Sequence, residues 1–319
     1  YDAHPEPGEV FTLATLAFGA GSARGIGEVL EIVEGDTEGI LSRAAVSGLG
    51  WLEPDALRGQ VQPLLNDARP SVRALGLGAC AVHRVDPGAQ LVNFLGDEAP
   101  VRRQALKVAG LMSRSDIQFE QDDDEECRVR SAGAQFRMGD RDQSEDVLWK
   151  LAYESGPFQM KAFELVAVGA ETESARDRLR DAGSLGEALA VRLAGRLGDT
   201  ELVPWLLSKM DGPLAPIAGE SFSMITGADL AFLDIEGQSP EETGPNDDPS
   251  DPLVEIDPND DLPVPDRAKV QDWWENAASS FNAGEPYFLG KKVSDETYAK
   301  GFSTGFQRQR RVAAPVSYT

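Results

Sequence analysis

Short apolar stretches recur along the chain, each spaced like one face of a helix and each closing on a glycine. Gly110 ends ALKVAG, Gly139 ends AQFRMG, Gly169 ends ELVAVG, Gly198 ends LAGRLG and Gly227 ends SMITG, at spacings of 29, 30, 29 and 29 residues. A fixed period of this size marks stacked supersecondary units. Each unit reads as two helices. VRRQALKVAGLM (101–112) typifies the first, with Val101, Ala105, Leu106, Val108 and Ala109 on helical spacing. A closing glycine tolerates left-handed backbone and lets the next helix pack closely. Asp140 and Asp199 follow two of these glycines, where a carboxylate caps a second helix. Second helices are predicted over 144–153, 174–181 and 200–210, and Pro70 and Pro100 sit where first helices begin. Further back, 71–85 with 89–97, 41–53 with 56–67, and the weaker match 8–36 bring the count to about seven and a half units.

The period stops near residue 232. From Met210 to Asp266 there is no Lys or Arg, and 239–266 carries ten acidic residues and seven prolines. Proline at that density prevents helix and central strand, and like charges extend the chain. The organisation expected is a repeat region over 1–232, an acidic Pro-rich linker over 233–265, and a C-terminal helical segment over 266–319 leading into a further repeat. A calcium loop is the alternative for the linker, from Asp247, Asp248, Asp251, Asp257, Asp260 and Asp261. It lacks the glycine at position six and the closing Glu of an EF-hand. After it, DRAKVQDWWENAASSF (266–281) predicts a helix capped by Asp266, with Val270, Trp273, Trp274 and Ala277 on one face. NAGEPYFLGKKV reads as a turn and a short apolar piece, and SDETYAKGFSTGFQRQRRVAA as a second helical stretch. Trp273, Trp274, Tyr287 and Phe288 are expected to form a small satellite core, an exposed binding patch being the alternative.

The Val-Arg pairs opening first helices (Val72-Arg73, Val101-Arg102, Val129-Arg130) and the LGD-x-x-LVPxLL run from Leu197 to Leu207 resemble short HEAT repeats. That resemblance implies an all-α fold, an α-solenoid of helix pairs of about 30 residues. The succession FSMITGADL, GPNDDP, DDLPVPD-x-x-KVQDWW, YFLGKKV and RQRRVAA is similar to one uncharacterised HEAT-repeat family of Proteobacteria, whose genes commonly lie beside type VI secretion genes. It implies association with secretion, as effector loading or neutralisation, and carries no catalytic residues with it. In that family more sequence precedes Tyr1 and helical sequence follows RQRR-x-AA, so both ends are expected to continue.

A net charge of −24 argues against partners that are themselves polyanions, nucleic acid and anionic lipid included, and permits a basic protein partner. Two cysteines, Cys80 and Cys127, and two histidines, His4 and His83, supply neither a disulfide framework nor a zinc site. A reducing, cytoplasmic setting is expected, and no apolar run approaches the roughly 18–20 residues that span a bilayer. Within QDDDEECRVR (121–130) the carboxylates raise the Cys127 thiol pKa, the wrong direction for a nucleophile, and suit a helix start. GSARGIGEV holds fragments of a phosphate-binding glycine pattern without a preceding strand. His83, near a helix end, reads as a structural or surface residue.

These readings predict no catalysis, no metal and no cofactor, but a protein-binding solenoid acting as scaffold or adaptor for a type VI effector or spike complex. An immunity protein against a basic effector such as a nuclease is the first alternative. A HEAT-like lyase or DNA glycosylase is the second, disfavoured because a DNA groove needs basic residues. The candidate partner-binding residues are Trp273, Trp274, Asp247, Asp248, Asp260, Asp261, Arg310 and Arg311. The closing RQRR (308–311) is expected to open another repeat, with Arg310 and Arg311 placed like Arg102 and Arg103.

Overall fold

The computed structural model describes residues 5–119, 122–154, 156–169, 172–180, 186–238, 259 and 261–314. Among them the chain is mostly helical, with one two-stranded sheet. It divides into two compact units, 1–148 and 149–319, the division falling inside a helix.

The first unit holds α1 (Pro7–Gly19), α2 (Ala23–Gly35), α3 (Ile40–Gly50), α4 (Val61–Leu65), α5 (Pro70–Val82), α6 (Ala99–Leu111), α7 (Glu125–Arg137) and most of α8 (Asp142–Tyr153). Successive first helices pack in series, α1 on α3, α3 on α5, α5 on α6 and α6 on α7. The stretch 8–36, the weakest match to the period, forms the well-defined pair α1 and α2. Two second helices are shorter than the pattern predicts. Residues 89–97 fall in a tight 3-10 run, Gly88–Gly96, and 56–67 reduces to the 3-10 turn Pro54–Leu57 and the five-residue α4. Gly59, at positive φ, interrupts 56–67, and Gly88, also at positive φ, opens the run that holds 89–96.

The periodic glycines do two different jobs. Gly139, Gly198 and Gly227 take left-handed φ of 91°, 71° and 72°, as expected of helix ends. Gly110 lies inside α6 instead. A Cβ built there would stand 3.0 Å from that of Ala134 on α7, so the glycine sets how closely the two helices approach.

The Val-Arg motif has a structural cause. Arg73 and Arg102 are each the fourth residue of their helix, α5 and α6. Each donates to a carbonyl five residues back, Arg73 to Ala68 at 2.7 Å and Arg102 to Asp97 at 2.8 Å. Each also pairs with a carboxylate ahead of the next first helix. Arg73 meets both oxygens of Asp97 at 2.8 and 2.7 Å, and Arg102 both of Asp122 at 2.7 and 2.9 Å. Such forked pairs fix geometry as well as energy. Arg103 pairs likewise with Asp124, which caps α7 by accepting from Cys127 N at 2.9 Å. The acidic run 122–126 therefore caps a helix and ties down the arginines of the previous one.

The second unit holds α9 (Gln159–Gly169), α10 (Thr172–Arg180), α11 (Glu187–Leu197), α12 (Val203–Leu207) and α13 (Ala215–Thr226). α9 and α13 both pack on α11. Asp199 caps the turn after α11, accepting from Glu201 N at 3.0 Å, and is fully buried against Arg176 of α10. The residues at either end of the acidic run lie side by side. Gly237 N donates to Val264 O at 2.7 Å and Asp266 N to Ile235 O at 3.0 Å. α14 (Arg267–Ala277) then starts on Asp266, whose carboxylate accepts from Ala268 N and Lys269 N. A hairpin of β1 (Tyr287–Phe288) and β2 (Lys291–Lys292) turns through Leu289 and Gly290, both at positive φ. The predicted second helical stretch is two helices, α15 (Asp295–Thr304) and α16 (Gln307–Ala313), parted at Gly305.

Of the four aromatic residues predicted as a satellite core, Trp274 and Tyr287 are joined through Phe281, at 5.3 and 4.9 Å, and the group also packs on residues outside it. Trp273 and Trp274 meet Phe222 of α13 edge-on at 5.7 and 6.2 Å. Phe288 joins Met224 of α13, Tyr298, Val312 and Ala313. Tyr287 N bonds Gly198 O at 2.9 Å, and Leu289 N bonds Met224 O at 2.7 Å. The C-terminal segment is thus knitted to the ends of α11 and α13.

Candidate functional site: an arginine-lined cavity

The helix α16 carries the RQRR run into a cavity of about 490 Å³ within the second unit. α9 contributes Met160 and Phe163, α11 Arg192, Gly195 and Arg196, and α13 Glu220, Ser221 and Met224. α16 supplies Gln307, Arg308, Arg311 and Val312. Four guanidinium groups from two helices thus face one space. The spacing on α11 is the cause on that side, since residues four apart share a helix face. On α16, Arg308 and Arg311 are three apart and share a face for the same reason.

Gly195 brings α11 and α13 together beneath the cavity. A Cβ there would stand 2.7 Å from Ser221 Cα, and no side chain fits that approach. Ser221 Oγ donates to Val191 O at 2.9 Å, which satisfies its buried hydroxyl.

Among the described residues the carboxylates paired with these arginines are Glu220 and Glu164. Arg308 donates to both oxygens of Glu220, at 3.3 and 3.1 Å, and Arg311 to Glu164 at 3.1 Å. Arg192 donates to Asn259 Oδ1 at 2.6 Å. Arg196 differs. Its side chain is 14% exposed, Glu164 lies 3.6 Å away, and its guanidinium rests over the Phe163 ring at 5.9 Å. No hydrogen bond from it is formed among the described residues. Burial pulls its pKa below the ordinary guanidinium value, Glu164 works against that, and Arg311 and Arg192 press it further down.

The sequence-derived site residues fall in several places. Arg311, 69% exposed, stands at the cavity. Arg310 points elsewhere and donates to Gly305 O at 2.7 Å, again five residues back from the fourth residue of its helix. That repeats the arrangement of Arg73 and Arg102, so the predicted likeness of Arg310 to Arg102 has a physical counterpart. Trp273 and Trp274 are half-buried on Phe222, and Asp261 is exposed in the turn closed by Leu262 N to Asn259 O. Asp247, Asp248 and Asp260 lie outside the described residues, as do Asp251 and Asp257 of the calcium alternative. Arg192, Arg196, Glu164 and Glu220 were not singled out from sequence. The signal available was two arginines four apart inside the apolar VRLAGRLG.

Other candidates carry less. The Cys80 thiol is pushed up to about 11 and the Cys127 thiol to about 12, each chiefly by burial. Asp124 adds to the second through a hydrogen bond and charge. His83 Nε2 is 2.9 Å from Leu49 O. The glycines of GSARGIGEV lie at and within the start of α2, where Gly25 allows close approach to Ala17 of α1. Among the described residues no group of His, Cys, Asp and Glu is arranged to hold a metal, and no helix is long and apolar enough to cross a membrane. Comparison of the chain with protein-family models, with curated proteins and with solved structures returned no match.

Proposed function

We propose that this chain is a non-catalytic, HEAT-like α-solenoid that binds another protein, acting in the cytoplasm as scaffold or adaptor for a type VI effector or spike complex. The observation that carries the reading is the serial packing of α1, α3, α5, α6 and α7, with arginine–carboxylate pairs joining α5 to the turn before α6 and α6 to the turn before α7. Repetition of this kind builds an extended surface and needs no reactive side chain. Both thiols are buried with raised pKa values, so neither is a nucleophile candidate. The net charge of −24 favours a basic partner and fast, salt-sensitive association. That charge also supports the second reading, an immunity protein covering a basic effector. The link to secretion rests on the C-terminal sequence resemblance.

The test is co-expression with the type VI effector, spike and adaptor proteins encoded beside the gene, followed by co-purification at low and high salt. A stoichiometric complex with one of them, weakened by salt, is expected. Failure with every one overturns the reading. Rescue of cells from a co-encoded toxin would select immunity over scaffolding.

A further inference from the structure

The treatment of arginine is uneven across this molecule. In a chain with 54 acidic against 30 basic residues, carboxylates are abundant. Arg69, Arg103 and Arg176 each meet two of them. Among the described residues the ratio reverses at the cavity, where Arg308 meets Glu220, Arg311 and Arg196 share Glu164, and Arg192 bonds Asn259. Among the described residues Arg196 forms no hydrogen bond, and its ion pair with Glu164 is a loose one at 3.6 Å. A guanidinium that lines a cavity and is held only loosely can still donate to an anion brought into that space.

The space beside Arg196 suits a ligand. About 490 Å³ falls within the range of small-molecule pockets and far exceeds what one ordered water occupies. Its walls are mixed, the guanidiniums standing beside Met160, Met224 and Val312. Clustered planar guanidiniums, each donating in pairs, match the several terminal oxygens of a tetrahedral phosphate better than those of a single carboxylate. A phosphate monoester carries close to two negative charges at neutral pH, which offsets the local excess of two positive ones.

We propose that this cavity binds a small organic phosphate monoester. Arg196 and Arg311 hold the phosphate, and the methionines and Val312 receive the organic part. This site is independent of any protein partner, so it stands or falls apart from the solenoid reading.

The test uses the whole chain and three probes, inorganic phosphate, ribose 5-phosphate and AMP, with adenosine and succinate as controls. Thermal unfolding and calorimetric titration are both read. The expected result is a rise in Tm of about 5 °C at a ligand excess of about a hundredfold over Kd. The esters should bind more tightly than inorganic phosphate, and adenosine should not bind. Arg196→Met, and independently the exposed Arg311→Gln, should each weaken ester binding at least about tenfold while leaving the helical circular dichroism unchanged. Using Arg311→Gln as well keeps the test valid if Arg196→Met fails to fold. No binding of any phosphate probe at about 10 mM overturns the proposal. So does binding unaffected by the substitutions, and succinate binding as tightly as the esters would replace phosphate with carboxylate.

Discussion

The arginines at the helix starts of the first unit and those around the cavity of the second are the same side chain put to opposite uses. Arg73 and Asp97 are each 17% exposed and meet through two short bonds, with further bonds from Arg73 to backbone carbonyls. Arg196 is similarly buried, at 14%, yet has only a loose approach to Glu164. Burial alone therefore does not tell a structural arginine from an available one. The count of acceptors does. Where the fold needs a guanidinium fixed, the next turn supplies an aspartate at a repeated position. Where it does not, the donors stay open toward a space.

The sharpest way to break this comparison is to remove a carboxylate from the most buried pair. Asp199→Ala strips Arg176 of a fully buried partner and the following turn of its cap. Stability should fall by about 3–5 kcal/mol, measured by urea unfolding. A loss under about 1 kcal/mol would mean that buried pairing is not what fixes these arginines. In the first unit, Asp97→Ala should cost about 2 kcal/mol, because Arg73 keeps its backbone acceptors but loses its carboxylate. Arg196→Met should do the reverse. With no hydrogen bond to lose and apolar neighbours to join, it should change stability by less than about 1 kcal/mol, or raise it. A large loss there would show Arg196 to be structural.

Acid sharpens the same contrast more gently. Asp67 is held down to about 2, first by its hydrogen bond from the Arg69 side chain. Asp97 and Asp122 are lowered by their bonds from Arg73 and Arg102. A carboxyl whose folded pKa lies below its unfolded one lends stability above the unfolded value, about 3.9, and loses it as pH falls through the folded one. The urea midpoint should therefore decline from about pH 4 toward pH 2. Asp97→Ala should flatten that decline, and Arg196→Met should leave it unchanged.

Much of the local structure was legible beforehand. The helix starts at Pro70 and Pro100, the caps at Asp199 and Asp266, and the stops at Gly139, Gly198 and Gly227 all rest on preferences of neighbouring residues. The same holds for Arg310, whose bond to Gly305 copies Arg102 because both are fourth in a helix. Less legible were the tight turns at 54–57 and 88–96, where short segments satisfy a helical pattern without forming a full α-helix. The fate of Trp273 and Trp274 was also hidden. Their apolar face predicted a core, and besides nearby Phe281 it packs on Phe222, some fifty residues earlier.

The sequence by itself determined where helices begin and end, that they recur, and that the molecule is strongly acidic, because each follows from side chains within a turn or two of one another or from their sum. Only the tertiary structure decided which arginines are spent on the fold. Arg311 finds Glu164 across 147 residues and Arg308 finds Glu220 across 88, distances over which no local preference acts. Whether a guanidinium has enough acceptors depends on what packing brings beside it, and at Arg196 packing brought a cavity.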